Sequence, residues 1–408
     1  MNDREQAGGD SSPGGAGTPE TAPSSPPPSR PPPASGVLLK EVATPSDLKQ
    51  FIRFPFSLYR DHPCWVPPLI MDELHTLRRE KNPAFEYCDA RYWLAYKNGR
   101  VVGRIAGLIN QRYIEKWGHR YARFGWIDFI DDREVVGALF GAVEQWAGEK
   151  GMTGIHGPLG FTDMDREGML VEGFGELGTM ATIYNHPYYP GHLEALGYGK
   201  DADWLEFEVR VPAQVPEKAE RVEQIVMRRL GVHVLPAKNA REIRPYAREL
   251  FAVLNQAYAR LYAFVPLSTE QIDTYVKQYF SFIQPDFTKI LLDANGRVAG
   301  FVVAMPSLSR ALQKCRGRLF PFGFLHLLAA MRKPKTLDLY LGAVRPDLQN
   351  KGADALVMTA ITRSAIARGI VSAESNVELE VNVAVQNHWK YYEARQHKRR
   401  RCYLKRWA

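Results

Sequence analysis

At 408 residues the chain is longer than a typical domain of roughly 100–200 residues, so two or three domains are expected. Hydrophobic residues make up 45% and charged residues 24%, an ordinary globular balance that excludes a fibre or a wholly disordered chain. The net charge of +8 owes much to Lys398, Arg399, Arg400, Arg401, Lys405 and Arg406, which read as an anion-attracting patch or a solvated tail; with no nucleic-acid-binding module beside them, nucleic acid ranks last among partners.

The N-terminal stretch is polar, with no apolar segment of a signal peptide behind it. Residues 1–36 are dominated by Pro, Ser and Gly and hold almost nothing to bury, so a disordered tail is expected. No apolar run reaches membrane-spanning length. Cys64, Cys88, Cys315 and Cys402 show neither CxxC spacing nor a neighbouring His pattern. Neither a disulfide framework nor a metal site is expected, and a reducing, cytoplasmic location follows.

The remainder divides around Pro212–Lys218 into 37–212 and 213–408. These halves resemble one another. Gly99-Arg100-Val101-Val102-Gly103 recurs as Gly296-Arg297-Val298-Ala299-Gly300, each reading as a hairpin turn entering a strand. A helix follows in both, with Val135, Val136, Leu139, Phe140, Val143 and Trp146 on one apolar face and Leu356, Val357, Ala360, Ile361 and Ala365 on the other. Both end at a glycine, Gly151 and Gly369. The two glycines lie farther apart than the two hairpins do, which puts about 21 extra residues between Met305 and Thr336 of the second half.

Leu337–Val344 alternates as a strand, Arg345-Pro346-Asp347 breaks it, and Gln349-Asn350-Lys351-Gly352-Ala353-Asp354 opens a helix. Unpaired first-turn amides and about half a positive charge from the helix dipole make an anion site, to which Lys351 adds a cation. The segment resembles the GNAT acyltransferase signature at Gln349 and Gly352, with Asp354 where Gly or Ala is usual. The resemblance implies an α/β fold of mixed sheets, two GNAT-like domains in tandem. It further implies that residues Gln349 to Asp354 hold the pyrophosphate of acyl-CoA, or its equivalent on acyl carrier protein, while backbone at Ala343 and Val344 pairs with the pantetheine arm. Tyr392, with Tyr391 behind it, becomes the candidate for protonating the leaving thiolate. Asp338 stands eleven residues before Gln349, where histone-acetylating members carry a Glu. An amine with a pKa of about 10 needs such a base, although an Asp there also reads as a strand-start cap. In the first half Asp131-Asp132-Arg133-Glu134 occupies the matching position, and its carboxylates oppose a pyrophosphate, so a degenerate half is expected.

Phe54-Pro55-Phe56, Trp65-Val66-Pro67-Pro68, Asn82-Pro83-Ala84-Phe85, His156-Gly157-Pro158 and Tyr184-Asn185-His186-Pro187-Tyr188-Tyr189 extend the likeness to a bacterial tandem-GNAT family that includes the ceramide synthases. That resemblance implies a lipid amine acceptor, a sphingoid base above all. The apolar insertion 306–336, with Phe320, Phe322 and Phe324 bracketed by basic residues across 314–335, suits an element that meets an anionic membrane surface or lines an acyl-chain tunnel; a buried helix is the plain alternative. The protein would then sit peripherally on the inner membrane. His186 and the acids Asp163, Asp165 and Glu167 are candidates to contact the acceptor amine, or simple turn residues. An acetyltransferase for a soluble amine and a non-catalytic GNAT-derived binding protein are the alternative functions.

Overall fold

The computed structural model describes residues 36–407; the Pro/Ser/Gly-rich tail lies outside the described residues except for Gly36. Its strands, in chain order, are β1 (Val37–Glu41), β2 (Cys88–Lys97), β3 (Arg100–Asn110), β4 (Tyr121–Phe129), β5 (Gly154–Gly157), β6 (Met169–Glu172), β7 (Gly199–Arg210), β8 (His233–Val234), β9 (Thr288–Leu292), β10 (Val298–Pro306), β11 (Thr336–Val344), β12 (Ser372–Glu374), β13 (Glu378–Leu379) and β14 (Ala394–Arg406). They form one mixed sheet in the order β1-β2-β3-β4-β5-β14-β7-β12-β11-β10-β9-β8, with β6 added to β14 and β13 added to β7.

Read inward from its two edges, the order is the same. The repeat seen in the sequence is therefore a structural one: β1–β5 match β8–β12, and the two hairpins turn at Gly99 and Gly296, both left-handed. At the centre the repeats exchange strands. β7, which closes the first repeat in sequence, pairs with β12 and β13 of the second, whereas β14 pairs with β5 and β6 of the first. The long antiparallel β7–β14 pair joins them, from Ala394 opposite Val209 to Leu404 opposite Gly199.

This exchange corrects the reading of the basic C-terminal run as an anion-binding patch or free tail. Within β14 these residues pair with acids on β7 and, one strand further, β12: Lys398 with Glu374 of β12 at 2.9 Å, Arg400 with the fully buried Glu206 of β7, and Arg401 with Asp203 of β7 at 2.9 Å. Arg399 reaches Glu172 at 3.1 Å and Lys405 reaches Glu144 at 2.8 Å. Removing one partner of the buried pairs would strand a charge, at a cost of about 3–5 kcal/mol.

Each repeat packs a helix behind its sheet. Helix Arg133–Glu149 buries Val135, Val136, Leu139, Phe140, Val143 and Trp146 against β2–β4; helix Ala353–Ala367 buries Leu356, Val357, Ala360, Ile361 and Ala365 behind β9–β11. Truncating Leu139, with no exposed surface, to Ala would cost about 2–5 kcal/mol. The extra residues of the second repeat form helices Ser309–Cys315 and Gly323–Arg332, where the first repeat has only the short helix Gln111–Trp117.

Candidate active site

β11 starts beside β12, pairing in parallel only over Thr336–Asp338. A bulge then intervenes. Val303 faces Leu341 and Ala304 faces Leu339, so Tyr340 is an extra residue with no partner on β10. A bulge bends and twists its strand, and beyond it β11 leaves β12 behind. Three carbonyls on the edge so opened are held by side chains: Tyr340 O by Asn376 Nδ2 at 3.1 Å, Gly342 O by the Tyr258 hydroxyl at 2.9 Å, and Val344 O by Gln349 Nε2 at 3.1 Å.

The strand leads into a short 3₁₀ turn, Pro346–Leu348, and then the exposed Gln349, Asn350 and Lys351. Asn350 and Gly352 both adopt positive φ, 59° and 90°. At Gly352 a Cβ would also lie 3.0 Å from Val226 Cγ2, so both conformation and packing require glycine. Gly352 is the N-cap of helix Ala353–Ala367 and, being glycine, brings no side chain of its own to the first turn. The acid at the signature's unusual position is engaged: His388 hydrogen-bonds Asp354, which holds that carboxyl below its usual range, with the amides of Asp354 and Ala355 assisting. A phosphate at this turn would share the helix start with a carboxylate that His388 partly offsets.

The widened edge of β11 borders a cavity of about 330 Å³ between the repeats. Tyr340, Leu341, Asn376 and Val377 line it from the splay, and the bulge explains why consecutive side chains, Tyr340 and Leu341, both face it. Leu250, Phe251, Leu254, Val276, Phe301 and Met305 give it apolar walls. The first repeat contributes the loop carrying Asp163, Asp165 and Glu167, together with Arg104 and Asp128. Asp128 is matched by Arg104 at 2.7 Å, but no ion pair reaches Asp163, Asp165 or Glu167 among the described residues. Burial, offset mainly by Arg123, pushes Asp163 up to about 7; burial also lifts Asp165 to about 6. Glu167 is raised well above its usual value by burial and by Asp163. Three unpaired acids in one low-dielectric hollow resist ionising together, and a cation among them would relieve that cost.

The other expected site residues are distributed unevenly. Asp338 lies at the start of the splay, 3% exposed and outside the cavity wall; its Oδ2 accepts from the Tyr340 hydroxyl at 3.4 Å and its Oδ1 has no partner. Burial, then Glu374, raises its carboxyl to about 7. Ala343 is buried on β11 and Val344 is half-buried. Tyr392 bonds to Thr362 Oγ1 at 3.2 Å on the helix side of the sheet, and Tyr391 is exposed at 73%, so neither tyrosine reaches the cavity. His186 lies behind the cavity-lining Tyr184, stacked on Tyr188 at 5.3 Å. Phe320, Phe322 and Phe324 face solvent at 72%, 71% and 39% and do not line the cavity. The insertion is thus no buried helix: Leu327 packs inward on Leu308 and Leu312, while Leu325 and Leu328 stay about half exposed.

Two clusters among the described residues bring metal-type ligands together, His156 with Asp201 and Cys402, and Glu206 with Glu374 and His397. Protein donors already serve both. The Tyr262 hydroxyl contacts His156 at 3.0 Å, Asp201, and Cys402 at 3.3 Å; the Lys398 ammonium lies between Glu206 and Glu374.

No protein-family model matches the sequence. The protein YghO of Escherichia coli K12 is 30% identical over 375 residues, 90% of this chain and 95% of that protein. A bacterial ceramide synthase of Caulobacter vibrioides is 31% identical over 298 residues, 70% of this chain and 74% of that one. The chain belongs to the tandem-GNAT acyltransferase family that contains bacterial ceramide synthase. Solved structures agree on the fold: a tandem GNAT protein of the clavulanic acid pathway superposes at TM-score 0.52 and 13% identity, covering 91% of this chain and 98% of its own. The glucosamine N-acetyltransferase region of a fungal multi-domain protein does so at 0.53 and 12% identity, covering 90% and 38%.

For this ceramide-synthase-family chain, sequence reasoning missed Tyr340, Asn376 and Tyr258. Tyr340 had a legible signal, since it lies within the alternating strand two residues from Asp338. Asn376 and Tyr258 had none, because they meet β11 only through the fold.

Proposed function

We propose that the chain transfers a long acyl group from acyl-CoA, or from acyl carrier protein, to the amine of a sphingoid base, forming a ceramide. One observation carries the reading: a single cavity joins the open edge of β11, with its apolar walls, to unpaired carboxylates from the opposite repeat. The donor's phosphates would lie at Lys351 and Gly352, its arm along Ala343 and Val344, and its acyl chain against Leu250, Leu254 and Phe301. The acceptor's ammonium would sit by Asp163, Asp165 and Glu167. Thr288 supports a hydroxylated acceptor, because it lines the same cavity with a buried hydroxyl that has no partner.

The exposed Phe320, Phe322, Leu325 and Leu328 beside Arg316, Arg318, Arg332 and Lys333 favour peripheral binding to an anionic membrane, from which a two-tailed product could depart. Each basic side chain near such a surface is worth about 1 kcal/mol. No described helix is long and apolar enough to cross a membrane.

The test is to incubate the full chain with palmitoyl-CoA and sphinganine and to follow the amide by mass spectrometry, with acetyl-CoA and glucosamine in parallel. Long-chain amide is expected. Acetylation of glucosamine alone would favour a soluble-amine acetyltransferase. A melting temperature indifferent to every acyl-CoA, with no product from acylated carrier protein either, would favour a non-catalytic binding protein.

A further inference from the structure

Asp338 is spaced as a base, yet the cavity wall excludes it. The residue between is Tyr340. Because it is the bulged residue, its side chain faces the cavity while its hydroxyl also donates to Asp338 Oδ2 at 3.4 Å. The second carboxylate oxygen is buried and unpartnered, so the Asp338–Tyr340 contact is the side chain's link toward the reaction space. We propose that Tyr340 is the catalytic hydroxyl through which the acceptor nitrogen exchanges protons with Asp338, the two residues acting as one acid–base unit. This rests on the acyl-transfer reading above.

The acceptor ammonium gives one proton to the Tyr340 oxygen as Tyr340 passes its own to Asp338 Oδ2. The free lone pair then attacks the thioester carbonyl carbon, forming the C–N bond and moving the carbonyl π pair onto oxygen. As that pair returns, the C–S bond breaks, and the proton stored on Asp338 travels back through Tyr340 to the thiolate. Asp338, emptied by that return, takes the nitrogen's second proton through Tyr340 and hands it back by Tyr340 to water in the cavity once the product has left. Ammonium and thioester thereby yield amide, thiol and one released proton. The phenol never needs to ionise, which suits a hydroxyl that burial holds well above its usual pKa.

The groups facing Asp338 are Glu374 on β12, Lys398 on β14, Ser307 after β10 and Tyr340 itself; those facing Tyr340 are Asp338, Arg166 and Tyr279. Burial and then Glu374 raise the Asp338 carboxyl, whereas Ser307, Lys398 and Tyr340 lower it, and the balance of about 7 is that of a base near neutral pH. Because the carboxylate must be ionised to accept, turnover should rise with pH through about 7 and then level off.

The experiment compares the full chain with its Tyr340→Phe, Asp338→Asn and double variants, using palmitoyl-CoA and sphinganine. Tyr340→Phe should lower kcat by about 100-fold or more while leaving the donor KM and the melting shift given by CoA unchanged. The double variant should be no worse than the worse single one, because residues acting as a unit are not additive. Infrared difference spectra supply a readout free of turnover: a carboxyl band titrating near pH 7 should vanish in Asp338→Asn and shift in Tyr340→Phe. A Tyr340→Phe enzyme with its pH limb intact, losses that multiply in the double variant, or an unshifted band would overturn the relay. Difluorotyrosine at 340 retains shape and hydroxyl, so an unaltered band there would count against it too. A wild-type chain that acylates no long-chain amine would sink the acyl-transfer reading instead, with the infrared shift still deciding the relay.

Discussion

The two repeats open their fourth strands in the same way and finish the opening differently. β4 pairs with β5 only over Tyr121–Arg123, as β11 pairs with β12 only over Thr336–Asp338, and a register shift follows in each. In the first repeat tyrosines close the gap at Phe129, whose N–H donates to the Tyr189 hydroxyl at 2.9 Å and whose carbonyl accepts from Tyr188 at 2.6 Å. Its helix start is closed too, because Asp132 accepts from the amides of Glu134 and Val135 while Lys97 binds Asp132 at 2.7 Å. In the second repeat side chains hold carbonyls along the gap, and the helix begins at Gly352 without a side-chain cap. One repeated shape thus serves as scaffold in one copy and as a candidate donor cleft in the other. The difference lies in a few side chains.

The sharpest way to break this comparison is to close the second helix start. Gly352→Val meets Val226 and a positive φ, at a backbone cost of about 1–2 kcal/mol. It should weaken acyl-CoA binding by about 100-fold or more, roughly 2.7 kcal/mol, in calorimetric titration. The matching change in the first repeat, Asp132→Ala, should cost about 1 kcal/mol of stability and leave that titration unaltered.

Tyr189→Phe tests the scaffold role directly. It strands the buried Phe129 N–H and removes a bond to Tyr59, so denaturant unfolding should show a loss of about 1–3 kcal/mol with kcat unchanged.

The next contrast is in pH. Carboxyls raised in the folded state bind protons that the unfolded chain releases near pH 3.8, so the stability they contribute is present below that value and is lost as pH rises through about 7. The ligand-free melting temperature should therefore decline from pH 4 to 7, less steeply in Asp163→Asn. An Asp163→Asn profile parallel to the parent's would show that Asp163 is not raised in the folded chain. A bound ammonium reverses the sign, and acceptor affinity should increase over the same range.

The smallest effect is expected from Tyr258→Phe. Freeing Gly342 O for a donor arm should tighten acyl-CoA binding by a few-fold, about 0.5–1 kcal/mol, whereas weakened binding would show that Tyr258 supports the cleft.

Much of this molecule was legible along the chain because its signals are local. Helix Arg133–Glu149 followed from apolar spacing and from Gly151, and helix Ala353–Ala367 from the same pattern, since burial on one face and a left-handed stop need only neighbours within a few turns. The glycine-bearing turn after β11 was legible for the same reason. The aromatic insertion was legible as a segment, but its exposure was not: whether Phe320 and Phe322 are covered depends on what the fold brings against them.

What the sequence by itself determined is therefore the repeat, its elements and the turn at Gly352. Only the tertiary structure decided the exchange of β7 and β14, which turned a basic run into paired charges beside Glu206 and Asp203. It also decided the cavity, where Asp163 and Tyr340 meet from opposite repeats, and it kept Tyr392 and His186 away from that space. The physical reason is range. Periodicity and turn chemistry act over a few residues, but the partner of a charge or hydroxyl is set by strand pairings that join positions about 200 residues apart.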